Sequence, residues 1–223
     1  PHSLEFVYLP LKDVLPSEGV YAFETGLEPH LEAAKARGNH LIIRFYMDYP
    51  NLAAGTPQWL LDVAGCAVYT EHGGGCSPNY NAPILQSTLL NFIAEWGALY
   101  DGDPRLGFIQ IGLLGYWGEW HTWPNSEQFA TDAFQQEMIT AFDLAFDQTR
   151  ILLRYPSQDS PDRDIGFHDD SFAHSTLGEI PWFFFNQLVT AGADDQWQIA
   201  PIGGELRPEL QDSLFTPDYQ LGE

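Results

Sequence analysis

Two glutamates, Glu119 and Glu205, each follow a glycine at the end of an apolar run. A glycine just ahead of a carboxylate lets a ligand come close to the backbone. Two carboxyls are enough to cleave a glycosidic bond. One protonates the leaving oxygen; the other attacks the anomeric carbon or activates water. Their separation is ~5 Å in retaining enzymes and ~6.5–9.5 Å in inverting ones. Trp117, Trp120, His121 and Trp123 crowd around Glu119 in the stretch RLGFIQIGLLGYWGEWHTWP, residues 105–124. Flat aromatic faces match the apolar faces of a sugar ring, so aromatics beside a carboxylate suit a carbohydrate site. At least one of these tryptophans is expected in the core. Without the tryptophans, either glutamate taken alone reads sooner as a solvated loop acid.

A second polar set is His168, Asp169 and Asp170, with His174 close by. Adjacent residues of an extended segment point to opposite faces, so this spacing suits hydrogen bonding to substrate better than a metal ligand set. No metal or other cofactor is expected. A metal-dependent hydrolase built on His121, His168 and Asp169 is the third-ranked reading. Arg44 and Arg154 lie inside apolar runs, where an arginine must be paired. Each is expected to meet a carboxylate, either Glu119 or Glu205 or an acidic sugar. Tyr46 and Asp48 end the run HLIIRFYMDYP. The expected substrate-lining set is therefore Arg44, Tyr46, Asp48, Trp117, Trp120, His121, Arg154, His168 and Asp169, with Glu119 and Glu205 catalytic. No GxSxG elbow supports Ser-His-Asp chemistry.

These residues need strands that end at one rim. Apolar runs predict strands over 4–9, 40–47, 106–114, 151–155, 165–167 and 197–202. The run at 106–114 is apolar on both faces, as in a buried parallel strand. Helical spacing predicts helices over 27–37, 84–100 and 130–148, and a partly helical 177–191 with Pro181 in its first turn. Residues 51–83 read as a long loop holding both cysteines, with a short helix starting near Pro57, and the chain beyond Pro208 reads as loop. Strands alternating with helices mean a parallel sheet with helical crossovers. No GxGxxG or Walker pattern supports an open nucleotide-binding sheet. Polar residues at the strand ends, Asp48, Glu119, His168, Asp169 and Glu205, instead predict a TIM-type (β/α)8 barrel. Six strands fall short of eight, so the expectation is one incomplete barrel domain over residues 1–223, a segment of something longer.

The net charge of -22, from 31 acids and 9 bases, excludes nucleic acid as the main partner. No apolar run reaches the ~18 residues that cross a membrane. The segment CAVYTEHGGGC can fold back on itself, so Cys66 and Cys76 are expected to form a disulfide in an oxidising compartment.

The segments GFIQIGLLGYWGEWHTWP, IRFYMDYP, IGFHDDSF and PIGGELRPE resemble a large family of secreted bacterial and eukaryotic proteins. That family is described as β-galactosidase-like or glycosidase-like (α/β) barrels and is similar to clan A glycoside hydrolases. The resemblance covers residues 4–209. It implies that 4–9, 40–47 and the WGEWH run are barrel strands two, three and four, and that GGE closes strand seven. It further implies Glu119 as acid/base and Glu205 as nucleophile. Gly118 stands where clan A enzymes carry the asparagine that holds the substrate 2-hydroxyl. Two function classes follow. The first is a secreted retaining glycoside hydrolase. The second is a non-catalytic glycan-binding or structural extracellular barrel, part of a surface or filament assembly. Carbohydrate is the expected partner in both. A homo-oligomer, or association with the rest of a longer precursor, is expected to cover open barrel edges.

Overall fold

The structure is a computed structural model that describes residues 3–156, 163–214 and 216. Its elements in chain order are β1 (Leu4–Pro10), α1 (Leu11–Val14), α2 (Phe23–Gly26), α3 (Glu28–Ala36), β2 (His40–Tyr46), α4 (Gln58–Ala64), β3 (Cys66–Tyr69), β4 (Gly75–Pro78), α5 (Pro83–Tyr100) and β5 (Leu106–Gln110). There follow α6 (Asp132–Ala145), β6 (Ile151–Leu153), β7 (Gly166–Phe172), α7 (Phe184–Ala191), β8 (Ile202–Leu206) and α8 (Gln211–Leu214). The chain divides into two compact units, residues 1–151 and 152–223. Strands β1, β2, β5, β6, β7 and β8 are the six barrel strands; β3 and β4 form a separate two-stranded sheet. The fold is α/β, of the TIM type, with six of eight strands among the described residues.

In the first unit β1 pairs with β2 in parallel from Leu4↔His40 to Pro10↔Tyr46, and β2 pairs with β5 through Ile43↔Ile109. The Ile109 amide donates to the Arg150 carbonyl at the entry to β6. Alternation along β2 sends side chains to opposite faces. Leu41, Ile43 and Phe45 are buried, and Phe45 packs edge-on against Trp96 of α5 at 4.8 Å between ring centroids. Arg44 points the other way, in register with Tyr8 of β1. Helix α5 buries Leu85, Leu89, Phe92, Ile93 and Trp96, the i, i+4, i+7 stripe that the sequence predicts. Helix α6 starts at Thr131, whose hydroxyl accepts the Phe134 amide, and buries Phe134, Met138, Ile139 and Phe142.

The segment 51–83 is not the plain loop expected from its composition. It contains α4 and the antiparallel β3–β4 hairpin, stapled by the expected Cys66–Cys76 disulfide with Cα atoms 5.5 Å apart. Strands of only four residues, CAVY and GCSP, are too short to show an apolar period, so the hairpin is invisible to pattern reading.

In the second unit β6, β7 and β8 pair in parallel, through Leu153↔Phe167 and His168↔Gly203. Five expectations are corrected. The run 197–202 is not a strand: Gln196–Gln198 is a 3-10 turn, and the strand is Ile202–Leu206. Gln196 holds the turn from inside by donating to the Arg163 and Ile165 carbonyls. Gly203 and Gly204 lie within β8 and do not end it; a Cβ at Gly204 would sit 2.6 Å from Phe172 Cβ. Glu205 is therefore a strand residue. Likewise His168, Asp169 and Asp170 lie within β7, which runs on to Phe172. Helix α7 begins at Phe184, after the extended residue Phe183, so Pro181 precedes it. Beyond Pro208 the expected loop gives way to the short helix α8.

Candidate carbohydrate site

The site in the first unit starts from a layer across three strands. Tyr8 on β1, Arg44 on β2 and Gln110 on β5 face each other. Arg44 has 0% exposure, and a buried guanidinium needs all its charge and donors answered. Its Nε donates to Gln110 Oε1 at 2.8 Å, and its Nη1 to Tyr8 Oη at 2.9 Å and Glu119 Oε1 at 3.5 Å. The Phe6 and Tyr8 rings lie 5.5 and 5.0 Å from the cation. Arg44 thus grips Glu119 from beneath and does not reach solvent.

The loop after β5 closes on itself. Tyr116 N–H donates to His121 O, Glu119 N–H to Tyr116 O and Trp120 N–H to Leu114 O. Gly115, at φ +79°, makes this closure feasible, because a Cβ there would lie 2.5 Å from the His121 backbone. The loop is anchored laterally as well: Trp117 N–H donates to Asp48 O. Among the described residues, five of the six non-glycine residues with positive φ fall here or on adjoining turns: Asn51, His72, Leu113, Trp117 and Trp120. Such backbone costs of order 1–3 kcal/mol each and gathers at functional sites.

Glu119 emerges with 18% of its side chain exposed. His121 Nε2 stands 3.5 Å from Glu119 Oε2. The Trp123 amide donates to His121 Nδ1 at 3.3 Å, so Nδ1 carries no proton and Nε2–H is the side facing Glu119. Trp117 packs between Tyr49 and His121, with centroids 6.4 and 6.0 Å away, and Tyr46 packs on Tyr49 at 5.2 Å. Trp120 turns inward, 5% exposed, with its indole N–H on the Gly112 carbonyl.

Asp48 lies under the loop, 1% exposed. Its Oδ1 accepts the Tyr69 hydroxyl at 2.7 Å. Its Oδ2 and the neighbouring Ser77 Oγ have no well-formed hydrogen bond among the described residues. Burial pushes the Asp48 carboxyl up to about 6, against the opposing pull of the Tyr69 hydrogen bond and of the Ser77 hydroxyl nearby. A protonated Oδ2 can donate to Ser77. The Tyr69 ring stacks on Tyr116 at 4.5 Å, so the disulfide hairpin is bolted to the Glu119 loop.

The second unit carries its own cluster. Arg154 Nε lies 2.8 Å from Asp170 Oδ2, and Arg154 Nη2 lies 3.7 Å from Asp169 Oδ1. His168 Nδ1 lies 3.0 Å from Asp170 Oδ1, and Asp169 Oδ2 accepts the Thr176 hydroxyl at 2.8 Å. His168 and Asp169 are buried, so these groups hold one another inside the unit. Glu205 on β8 is half-buried. Among the described residues no group of three His, Cys, Asp or Glu side chains is arranged to hold a metal ion.

The sequence named Arg44, Trp117, Glu119 and His121, and the fold brings them together. It missed Tyr8, Tyr49, His72, Tyr69 and Gln110. Tyr8 and Gln110 enter through strand register, and His72 and Tyr69 through the hairpin. Gln110 carried one local signal, as the lone polar residue in an apolar strand.

No family model matches the chain, and no curated protein matches it. Solved structures do. Endo-glycoceramidase II from Rhodococcus sp., in its cellobiose-like imidazole complex, aligns with a TM-score of 0.56 at 12% identity, over 99% of this chain and 61% of that one. Its ganglioside GM3 complex aligns at 0.52 and 11%, over 90% and 57%. Its lactosyl-enzyme intermediate aligns at 0.50 and 13%, over 90% and 56%. The chain spans 56% to 61% of that enzyme's length in these alignments. At such identity the likeness is one of fold: the chain has a partial (β/α) barrel like that of these glycoside hydrolases. No helix among the described residues is long and apolar enough to cross a membrane.

Proposed function

We propose that the chain belongs to a secreted, carbohydrate-active protein that hydrolyses glycosidic bonds with retention. The observation that carries this reading is Glu119. Its partly exposed carboxyl stands between Arg44 and His121, and Trp117 packs against His121. In the proposed reaction a Glu205 carboxylate oxygen attacks the anomeric carbon. The bond to the leaving oxygen breaks, and that oxygen takes the Glu119 proton. Water then attacks the glycosyl ester, Glu119 takes the water's proton, and Glu205 is released. Trp117, His121 and Tyr46 line the sugar. Arg44, Asp48 and Trp120 position the Glu119 loop, and Arg154, His168 and Asp169 order the interior of the second unit. The Cys66–Cys76 disulfide supports an extracellular or cell-surface setting.

Hydrolysis of a polysaccharide panel tests the reading. Glu119→Gln and Glu205→Gln are each expected to lower kcat by about 10²–10⁴-fold with folding unchanged. Turnover that persists in both variants overturns it. Gly118 favours one alternative, a glycan-binding module without turnover. Its position points at the Phe45 carbonyl and Arg44, so no side chain there reaches a substrate hydroxyl. Glycan binding by the wild type with no turnover on any substrate selects that alternative.

A further inference from the structure

The hairpin tip adds something that the two-carboxylate scheme does not use. His72, between β3 and β4, packs on Trp117 at 5.1 Å and beside Trp123 at 6.3 Å. Trp117 in turn leads to His121 and Glu119. The rings form a continuous track away from the carboxyl, and it grows more open along the way. Trp117 is half-buried, His72 is exposed and Trp123 is 65% exposed. An exposed tryptophan costs solvation without adding to a core, yet this one is held in place. The His72 Nε2 lies 3.1 Å from the Trp123 carbonyl, which can only accept, so Nε2 carries the proton and Nδ1 is left as an acceptor. Asn125 Nδ2 donates to Glu71 Oε2 at 2.9 Å and to the Tyr116 hydroxyl at 3.2 Å, and the disulfide closes the hairpin behind. His72 and Trp117 adopt φ values of 54° and 56°, a conformation that disfavours bulky side chains. The backbone is thus strained at two points where these rings meet, His72 inclined by 69° to Trp117 and by 50° to Trp123.

We propose that Trp117, His72 and Trp123 form an extended binding platform for the pyranose rings of a neutral or amino-sugar chain. It rests on the glycoside hydrolase reading and deepens it, because a platform running away from Glu119 makes the substrate an oligo- or polysaccharide. Aromatic faces stack on the apolar faces of successive sugars, and His72 Nδ1 accepts a sugar hydroxyl. The charge beside the track excludes acidic sugars. Glu71 stays ionised, its carboxyl held below the usual range by the Asn125 hydrogen bond and then by backbone amides. Arg44, the nearby cation, is sealed beneath. The acidic-sugar contact expected for Arg44 is replaced by its grip on Glu119.

Calorimetric titration with β-linked gluco-, manno-, galacto- and chito-oligosaccharides tests the platform, using di- to hexasaccharides and an oligogalacturonide as the acidic arm. Glu119→Gln protein keeps the ligands intact. Affinity is expected to rise with chain length in that background. Trp123→Ala and His72→Ala are each expected to flatten the rise and weaken hexasaccharide binding by about tenfold. Both residues are exposed, so a melting temperature equal to that of the parent certifies folding. Unchanged binding in both variants overturns the platform alone. Tighter binding of the oligogalacturonide than of every neutral chain overturns its charge selectivity. Platform-dependent binding with no turnover in wild type leaves the platform and overturns the hydrolase reading. Wild type that binds no member of the panel overturns both.

Discussion

Arg44 has no route to water, so each of its contacts carries more weight than a surface pair would. Arg44→Met leaves Tyr8, Gln110 and Glu119 without their shared donor. It is expected to cost about 3–5 kcal/mol, read as a lowered denaturant midpoint. Arg44→Lys keeps the charge but loses the planar fork, and is expected to recover only a minor part. Asp48 makes a second prediction. Its folded carboxyl titrates at about 6 against 3.8 for the free group. The folded state therefore binds the proton more tightly, and the stabilisation is present at low pH and lost as pH rises from about 4 through about 6. Thermal melts should show stability falling over that window, by up to about 3 kcal/mol for this group. Asp48→Asn should remove that part of the slope, and an unchanged slope contradicts the assignment. At this scale residue type was a fair guide. Arg44 and Glu119 were legible because a buried cation needs an anion. Gly118 was legible as a difference, but only the structure shows that it faces the Phe45 carbonyl.

The β3–β4 hairpin is the element that the site depends on most. It meets the Glu119 loop through Tyr69 on Asp48 and Tyr116, through Glu71 on Asn125, and through His72 on Trp123. A disulfide spanning 10 residues contributes about 3 kcal/mol by loop entropy. Cys66→Ser with Cys76→Ser is expected to speed amide exchange in residues 66–78 and in 116–123, while β2 and α5 stay protected. Loss of protection confined to the hairpin contradicts the coupling. Strands β1 and β2 and helices α3, α5 and α6 were readable because long apolar runs and 3.6-residue stripes survive in any context. The hairpin was not, since its pairing rests on backbone bonds and one covalent link. Strand β8 was displaced because Gly203 and Gly204 read as a stop, whereas both lie within the strand and Gly204 makes room for Phe172. Tyr8 was hidden for a different reason: its meeting with Arg44 is set by β1–β2 register, which one strand's pattern does not reveal.

On the scale of the whole molecule, a net charge of -22 sets the response to salt. Like charges repel across a folded surface, and screening shortens their reach to ~10 Å at about 0.1 M salt. The melting temperature is expected to rise between about 0.01 and 0.5 M sodium chloride. A fall would mean that favourable pairs, such as the Arg105 network with Glu28, Glu32 and Asp103, outweigh the repulsion. The barrel class was legible from alternation and from polar residues near strand ends, and the structural matches share that fold. In the proposed reaction Glu119 and Glu205 act on the same glycosidic bond. Intact-mass and peptide mass spectrometry after incubation with activated 2-deoxy-2-fluoro glycosides tests it most directly. One covalent glycosyl adduct is expected, on Glu205, absent in Glu205→Gln. Hydrolysis of the parent glycosides without that adduct, or an adduct on another residue, contradicts it.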